Sequence, residues 1–259
     1  MMPTRDIKKI IFATILIITF MPLARLCADE QDVHFVRGNE FYQNEDYTTA
    51  ISHYQKIIEL GYESWEVYYN LGNAYYKNGQ ISLAILNYER AKKLNPKNED
   101  INFNLELANL SIVDKIPRIP QVFFMEWISR LTGMLSINTL GAITIAIYLF
   151  ATGLGIFRIL TKGLLSKTNL TLIFIVGFFF VTSAALFLKK VYEIENRVEA
   201  IVLVPKVDVK SAPNEKSTEM FTLHEGVKVQ MQELSSNWAK IRLLDGKVGW
   251  VQAEMIEKI

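Results

Sequence analysis

The stretch from Trp65 to Pro96, WEVYYNLGNAYYKNGQISLAILNYERAKKLNP, constrains the fold more than any other part of the chain. Tyr68, Leu71, Gly72 and Tyr75 fall at the three- and four-residue spacing of one helix face. After Asn78-Gly79, the residues Ala84, Tyr88 and Ala91 do so again. Gly72 and Ala84 are small enough for two antiparallel helices to approach closely, and Tyr75 and Tyr88 fill the space between them. Gly79 tolerates the positive φ that ends a helix. Pro96 cannot continue the second helix. The segment is predicted to be a tightly packed helical hairpin.

One period of 34 residues earlier the pattern recurs. Gly38 aligns with Gly72, Phe41 with Tyr75, Ala50 with Ala84 and Tyr54 with Tyr88. The units span 31–64 and 65–98, and the first is the weaker copy, with Arg37 in the leucine slot and Tyr62 in the proline slot. One period later Asn104 and Leu105 stay in register, but Glu106 occupies the glycine slot and no partner helix precedes Pro117 and Pro120. Residues 99–112 therefore read as a single capping helix. The order aromatic-x2-Leu-Gly-x2-Tyr, Ala-x3-aromatic, Pro resembles the tetratricopeptide repeat.

That resemblance implies stacked hairpins whose concave face is lined by the first helix of each unit. In this register the face comprises Phe35, Asn39 and Tyr42, then Tyr69, Asn73 and Tyr76, with Phe103 and Leu107 extending it. Asn39 and Asn73 carry both a donor and an acceptor for a peptide backbone, and the tyrosines offer rigid amphipathic area. Tyrosines at helical spacing equally serve packing. Asp32 and Glu66 flank the face where a clamp for an acidic tail would need cations. Two units and a cap fall short of the roughly three repeats that stand alone. The array is expected to lean on another chain or on a membrane surface. His34 and His53 lack the cysteine or spaced carboxylate that would complete a metal site. No metal or cofactor is expected.

The chain has 259 residues, enough for about two ordinary domains. Its net charge of +1 provides no field to attract nucleic acid. Arg5, Lys8 and Lys9, the apolar run Ile10 to Leu23 and the small pair Cys27-Ala28 read as a secretory signal over residues 1–28, with an uncleaved anchor as the alternative. Cys27 is the sole cysteine, which excludes an internal disulfide and a thiolate cluster. Leu26 before it is too large for a lipoprotein acceptor site. The repeat domain then covers 29–116. Residues 117–133, with Phe123, Phe124 and Trp127, suit an interfacial helix or an ordinary linker.

Residues 134–157 and 168–188 run for 24 and 21 residues without a charge, long enough to span a bilayer. Between them Arg158, Lys162 and Lys167 make a basic loop, 158–167, that faces the cytoplasm under the positive-inside rule. The repeats and the C-terminal domain then share the opposite side of an inner membrane, joined to the second span by a linker, 189–197. Neither span carries an ionisable group, so transport or proton relay finds no support. Ala151 and Gly155 form one small-x3-small pair for helix packing.

From Val198 the texture changes to short alternating runs: 200–204, 207–209, 227–229 and 238–241, separated by turns at 213–215, 225–226, 235–237 and 245–246. Strands of this length in about 60 residues predict a small all-β barrel over 198–259. The blocks 209–213, 223–229, 238–241 and 245–251 resemble the bacterial SH3 domain. Such domains bind cell-wall peptides, which implies a ligand groove with Trp238 and Trp250 as its aromatic shelf. Both tryptophans filling the barrel core is the competing reading. His224-Glu225 reads as a solvated surface pair.

The fold class expected is thus multidomain: all-α repeat hairpins, a two-helix transmembrane hairpin and an SH3-like barrel. Signal, repeats, paired spans and β module in this order, together with the blocks 98–108 and 112–116, resemble the BatE family of the Bacteroides aerotolerance group. That resemblance implies an envelope component working with other Bat-group membrane proteins. No G-x-S-x-G elbow, H-E-x-x-H pair or phosphate loop occurs, so no enzyme and no catalytic residue is expected. The functions expected are a membrane-anchored scaffold binding a protein partner or, through the SH3-like domain, a peptidoglycan sensor.

Overall fold

The structure, a computed structural model, describes residues 30–117, 128, 133, 135–160, 167–196 and 198–259. The signal segment, most of the interfacial segment and most of the basic loop lie outside the described residues. The chain divides into two compact units. One combines the helical repeats with the β module, and the other contains the two long apolar helices.

In the first unit, α1 (residues 30–43) and α2 (Tyr47–Glu59) form one hairpin, α3 (Trp65–Lys77) and α4 (Ile81–Leu94) the next, and α5 (Glu99–Leu110) stands alone. Side-chain oxygens start three of these helices: Asp46 accepts from Thr49 N, Ser64 from Val67 N and Asn98 from Ile101 N. Gly79 follows the α3 C-cap with φ +78°, the left-handed conformation its sequence position requires. The spacing repeated in the two hairpins has a direct packing cause. A Cβ on Gly38 would lie 2.6 Å from the Tyr54 ring, and one on Gly72 would lie 2.7 Å from the Tyr88 ring. Each hairpin therefore closes by pressing a tyrosine face against bare backbone. In α5 the same slot is Glu106, which is exposed.

The β module is a single antiparallel sheet in the order β3-β2-β6-β5-β4-β1-β7. Its strands are β1 (Val198–Val202), β2 (Lys206–Lys210), β3 (Glu219–His224), β4 (Lys228–Ser235), β5 (Trp238–Arg242), β6 (Val248–Gln252) and β7 (Ile256–Lys258). The sheet is not closed, which corrects the expected barrel. β3 pairs only with β2, and β7, just three residues long, pairs only with β1. Register shifts at Val209/Lys210 and Met231/Glu233 curl the sheet over a core of Val202, Val209, Leu223, Val229, Ile241 and Val251.

The repeat array does not stand alone, and what supports it belongs to the same chain. Ile201 of β1 is fully buried in the repeat core, with Leu203 and Ile259 packed against it. Ile116, just past α5, packs in turn against the sheet's core. At Gly226, φ +84°, a Cβ would meet Ile112 at 2.5 Å and Ile85 of α4 at 3.1 Å. Around this contact lies a polar frame. Lys228 pairs with Glu89 at 2.9 Å and Glu199 at 2.6 Å. Ser82 donates to Glu225 at 2.9 Å, and Arg90 donates to Glu257 at 2.7 Å and to the main-chain oxygen of Lys258 at 2.8 Å. His224 and Glu225, expected as a solvated pair, are both used here: Asp114 accepts from the His224 main-chain N–H at 2.7 Å and faces its Nδ1 at 3.2 Å. The expectation failed because their partners lie 110 and 143 positions away in sequence.

In the second unit, α6 (Ile137–Leu160) packs on α7 (Lys167–Asn196). The contacts include Gly141 beneath Phe187, Tyr148 beside Phe180 at 6.0 Å, and a Thr144–Ser183 hydroxyl pair at 2.5 Å. Lys190 donates to the main-chain oxygen of Leu135. Both helices are long and apolar enough to cross a membrane, over Ile137–Phe157 and Phe174–Tyr192. A buried soluble helix would hide its apolar side chains; here Leu149, Phe150, Phe174 and Phe178 are all exposed.

Two outcomes follow. Gly226→Ala adds a strained left-handed residue and a clash with Ile112, and should destabilise the first unit by about 2 kcal/mol. Hydrogen exchange should show α4 amides opening faster. Thr144→Val should weaken α6–α7 association by about 0.6 kcal/mol, read in a helix-association assay in lipid.

Candidate functional site

The concave face is built on an asparagine ladder that repeats with the chain's own period. Asn39 Oδ1 accepts from the Tyr54 hydroxyl at 2.7 Å and from Asn70 Nδ2 at 3.1 Å. Thirty-four residues on, Asn73 Oδ1 accepts from the Tyr88 hydroxyl at 2.7 Å and from Asn104 Nδ2 at 2.9 Å. Each asparagine thus ties the second helix of its own hairpin to the first helix of the next element. Asn104 Nδ2 also donates to the Tyr69 hydroxyl at 2.9 Å.

This geometry revises the role expected of Asn39 and Asn73. Their carbonyl oxygens are already occupied. Among the described residues neither Nδ2 has a hydrogen-bond partner, so each can still offer a donor but not an acceptor. A concavity of about 140 Å³ gathers Asn39, Tyr42 and Asn73 with Gln43, Tyr54 and Asn70. Phe35, Tyr69 and Tyr76 are half-buried and pack against the repeat core. Phe35 meets Tyr54 edge-on at 6.3 Å, and Tyr69 lies 6.0 Å from Tyr88. Asn70 and Asn104 complete the ladder as donors, and in the sequence only their 34-residue register with each other points to them.

Burial raises the Tyr54 and Tyr88 phenols well above the ordinary range, and raises Tyr68 to about 12, with Glu63 adding to the effect. His34 and His53 meet Nδ1 to Nδ1 at 2.8 Å, and Phe41 stacks on His53 at 5.4 Å. Burial, then His34 and Arg37, lower the His53 pKa. Among the described residues no three His, Cys, Asp or Glu side chains gather as a metal site.

On the β module Trp238 and Trp250 are half-buried and outside the core cluster. Trp238 pairs with Gln252 and Trp250 with Lys240, so all four side chains share the outer face of β5–β6. Lys240 Nζ lies 5.8 Å from the Trp250 ring centroid. Gly249, next to Trp250 in β6, faces the core instead and admits Val209 to 2.4 Å of where its Cβ would stand.

Residues 38–79 and 65–98 match tetratricopeptide repeat models, and 205–257 match the bacterial SH3 domain. The chain therefore combines repeats of a protein-interaction fold with a bacterial SH3 domain. No curated protein matches it. Among solved structures it is similar to the Sgt2 TPR domain from Aspergillus fumigatus, at 26% identity over 31% of this chain and 54% of that one, TM-score 0.30. It is also similar to YrrB, described as a TPR protein with an unusual peptide-binding site, at 23% identity over 37% and 56%, TM-score 0.31. The chain spans about half the length of each.

Tyr88→Phe should cost about 1 kcal/mol by removing a buried donor from Asn73. Raised phenolic pKa values give stability that is fully present below the unfolded value of about 10 and is lost as pH climbs through the folded values. Denaturant midpoints should therefore fall above pH 10, and more gently in Tyr88→Phe.

Proposed function

We propose that the chain is a membrane-anchored interaction scaffold of the bacterial envelope, whose repeat face holds a segment of a protein partner. The observation that carries this is the ladder. It fixes Asn39 and Asn73 in a repeating row, each with an amide donor left over, beside a concavity that also exposes Tyr42 and Gln43. A row of donors one repeat apart suits the carbonyls of a bound chain, and the flanking tyrosines supply contact area. The exposed apolar surfaces of α6 and α7 support two membrane spans. The basic loop at 158–167 supports placing the repeats and the SH3 domain together on the outer side of the inner membrane. Within the BatE-type reading the partner is another Bat-group membrane protein, and the assembly serves aerotolerance or stress.

A second reading draws on a separate observation. Trp238 and Trp250 lie outside the core on one face with Lys240, which favours a stacking ligand such as a peptidoglycan stem. Cosedimentation of the full chain with purified wall, abolished by Trp238→Ala with Trp250→Ala, would support it.

The scaffold reading is tested by a photo-crosslinking amino acid at position 76 in intact cells. We expect one discrete adduct that Asn73→Ala diminishes several-fold and that the same probe at exposed Lys56 does not give. No adduct at 76, or an identical one from 56, overturns the assignment of the face.

A further inference from the structure

The columns of the repeat face continue into α5, where their chemistry changes. Phe35, Asn39 and Tyr42 become Tyr69, Asn73 and Tyr76 one period on, and Phe103, Leu107 and Leu110 after a second period. The third row has no amide and no hydroxyl. Phe103 is 66% exposed, Leu107 39% and Leu110 69%. At i, i+4 and i+7 they form one stripe along the helix. This is a different side of α5 from the one that packs on the repeats, which uses Ile101, Leu105 and Ala108. It is also not the seat of a missing second helix. The slots that would receive such a helix hold Glu106 and Asn109, where the complete repeat has Gly72 and Tyr75.

On α5 itself the charge beside the stripe has one sign. Glu99, Asp100 and Glu106 are exposed on α5, and the helix contains no Lys, Arg or His. Lys115, beyond its C-terminal end, donates to the main-chain oxygens of Asn109 and Leu110 and so caps the helix. Asp114 turns toward His224.

We propose that the α5 stripe is the anchor end of the partner face, and that it takes an amphipathic helix whose apolar residues recur every three or four positions between lysines or arginines. The proposal rests on the partner-binding reading of the repeat face and names the partner's chemistry. Helical spacing on α5 matches helical spacing on its ligand. The acidic frame selects a basic segment, and it disfavours the other two occupants of an apolar stripe. A second copy of α5 would set carboxylates against carboxylates. An anionic bilayer surface would meet the same repulsion.

The test uses the full chain in lipid nanodiscs and three labelled synthetic 16-residue peptides: an amphipathic Leu/Lys helix, its Leu/Glu counterpart, and a scrambled Leu/Lys sequence of equal composition. Anisotropy should show the amphipathic Leu/Lys peptide binding at least tenfold tighter than either control. Phe103→Ser with Leu110→Ser should remove at least tenfold of that affinity with an unchanged melting curve. Glu99→Gln with Glu106→Gln should flatten its salt dependence. Equal binding of the scrambled peptide, or full binding by the Phe103/Leu110 variant, overturns the proposal. So does concentration-dependent dimerisation that this variant abolishes. The readouts separate the two ideas. An adduct at position 76 with peptide binding indifferent to Phe103 sinks the anchor alone. Phe103-dependent binding with no adduct at 76 sinks the central face and leaves α5 as an independent site.

Discussion

Helix α4 is covered by α3, by α5 and by the β module, and the first unit depends on that burial from several sides. Ala84, Tyr88 and Ala91 face the hairpin, while Ile85 and Ser82 are buried where Gly226 and Glu225 approach. The single helix α5 covers only part of the outer side of this last full helix and would leave the rest in water. Here the SH3 domain fills that place, as another repeat would in a longer solenoid. The dependence is mutual. β7 is an edge strand, and edge strands leave main-chain groups unpaired. Arg90 and Lys93 of α4 reach the main-chain oxygens of Lys258 and Ile259, so the helix covers the edge that the open sheet leaves. The Lys228 cluster fixes the register, with one ammonium between a repeat carboxylate and a module carboxylate. Breaking it would leave two acids facing each other.

The asparagine ladder is the second constraint, and it explains where the repeats stop. Each step needs an acceptor in the Asn39 and Asn73 column and a donor from the following element. In α5 that column holds Leu107, which accepts nothing, so no further element can be joined by the same bond. Glu106 in the glycine slot forbids the tyrosine-on-backbone contact that closes each hairpin. The solenoid thus ends through two substitutions on one helix, each with a distinct physical consequence.

What was legible in the sequence were features with a short period. Gly72, Tyr88, Gly79 and Pro96 act within one hairpin, and their spacing predicts it directly. The apolar helices declare themselves by length. Strands β3, β6 and β7 were not set apart as strands. Met220 is exposed at the open edge of β3, and β7 is only three residues long, so neither gives a long alternating run. The interface on α4 was hidden for a different reason. Ile85, Leu86 and Ser82 interrupt no pattern, and Lys228, Glu225 and His224 read as ordinary surface residues until the fold brings them to partners more than a hundred positions away. A cue lay in Ile85 and Leu86, which widen the apolar side of α4 beyond the face of Ala84, Tyr88 and Ala91. At the candidate site, residue types and columns were readable. The prior occupation of each Asn carbonyl was not, because it depends on hydroxyls placed by the second helices.

Placing the module on α4 has a consequence for binding. The repeat face is carried by the first helix of each element, α1, α3 and α5, whereas the module contacts the second helix of the last full hairpin and the segment after α5. A ligand on the first helices does not compete with the module for the same surface. The two are nonetheless linked through one side chain, because Tyr88 lies in α4 and donates to Asn73 in α3. Any ligand that shifts the Asn73 amide acts on a tyrosine whose helix is held by the module three residues earlier, at Ile85. Tyr88 therefore joins the repeat face to a helix that the module also covers, through one hydrogen bond and direct packing.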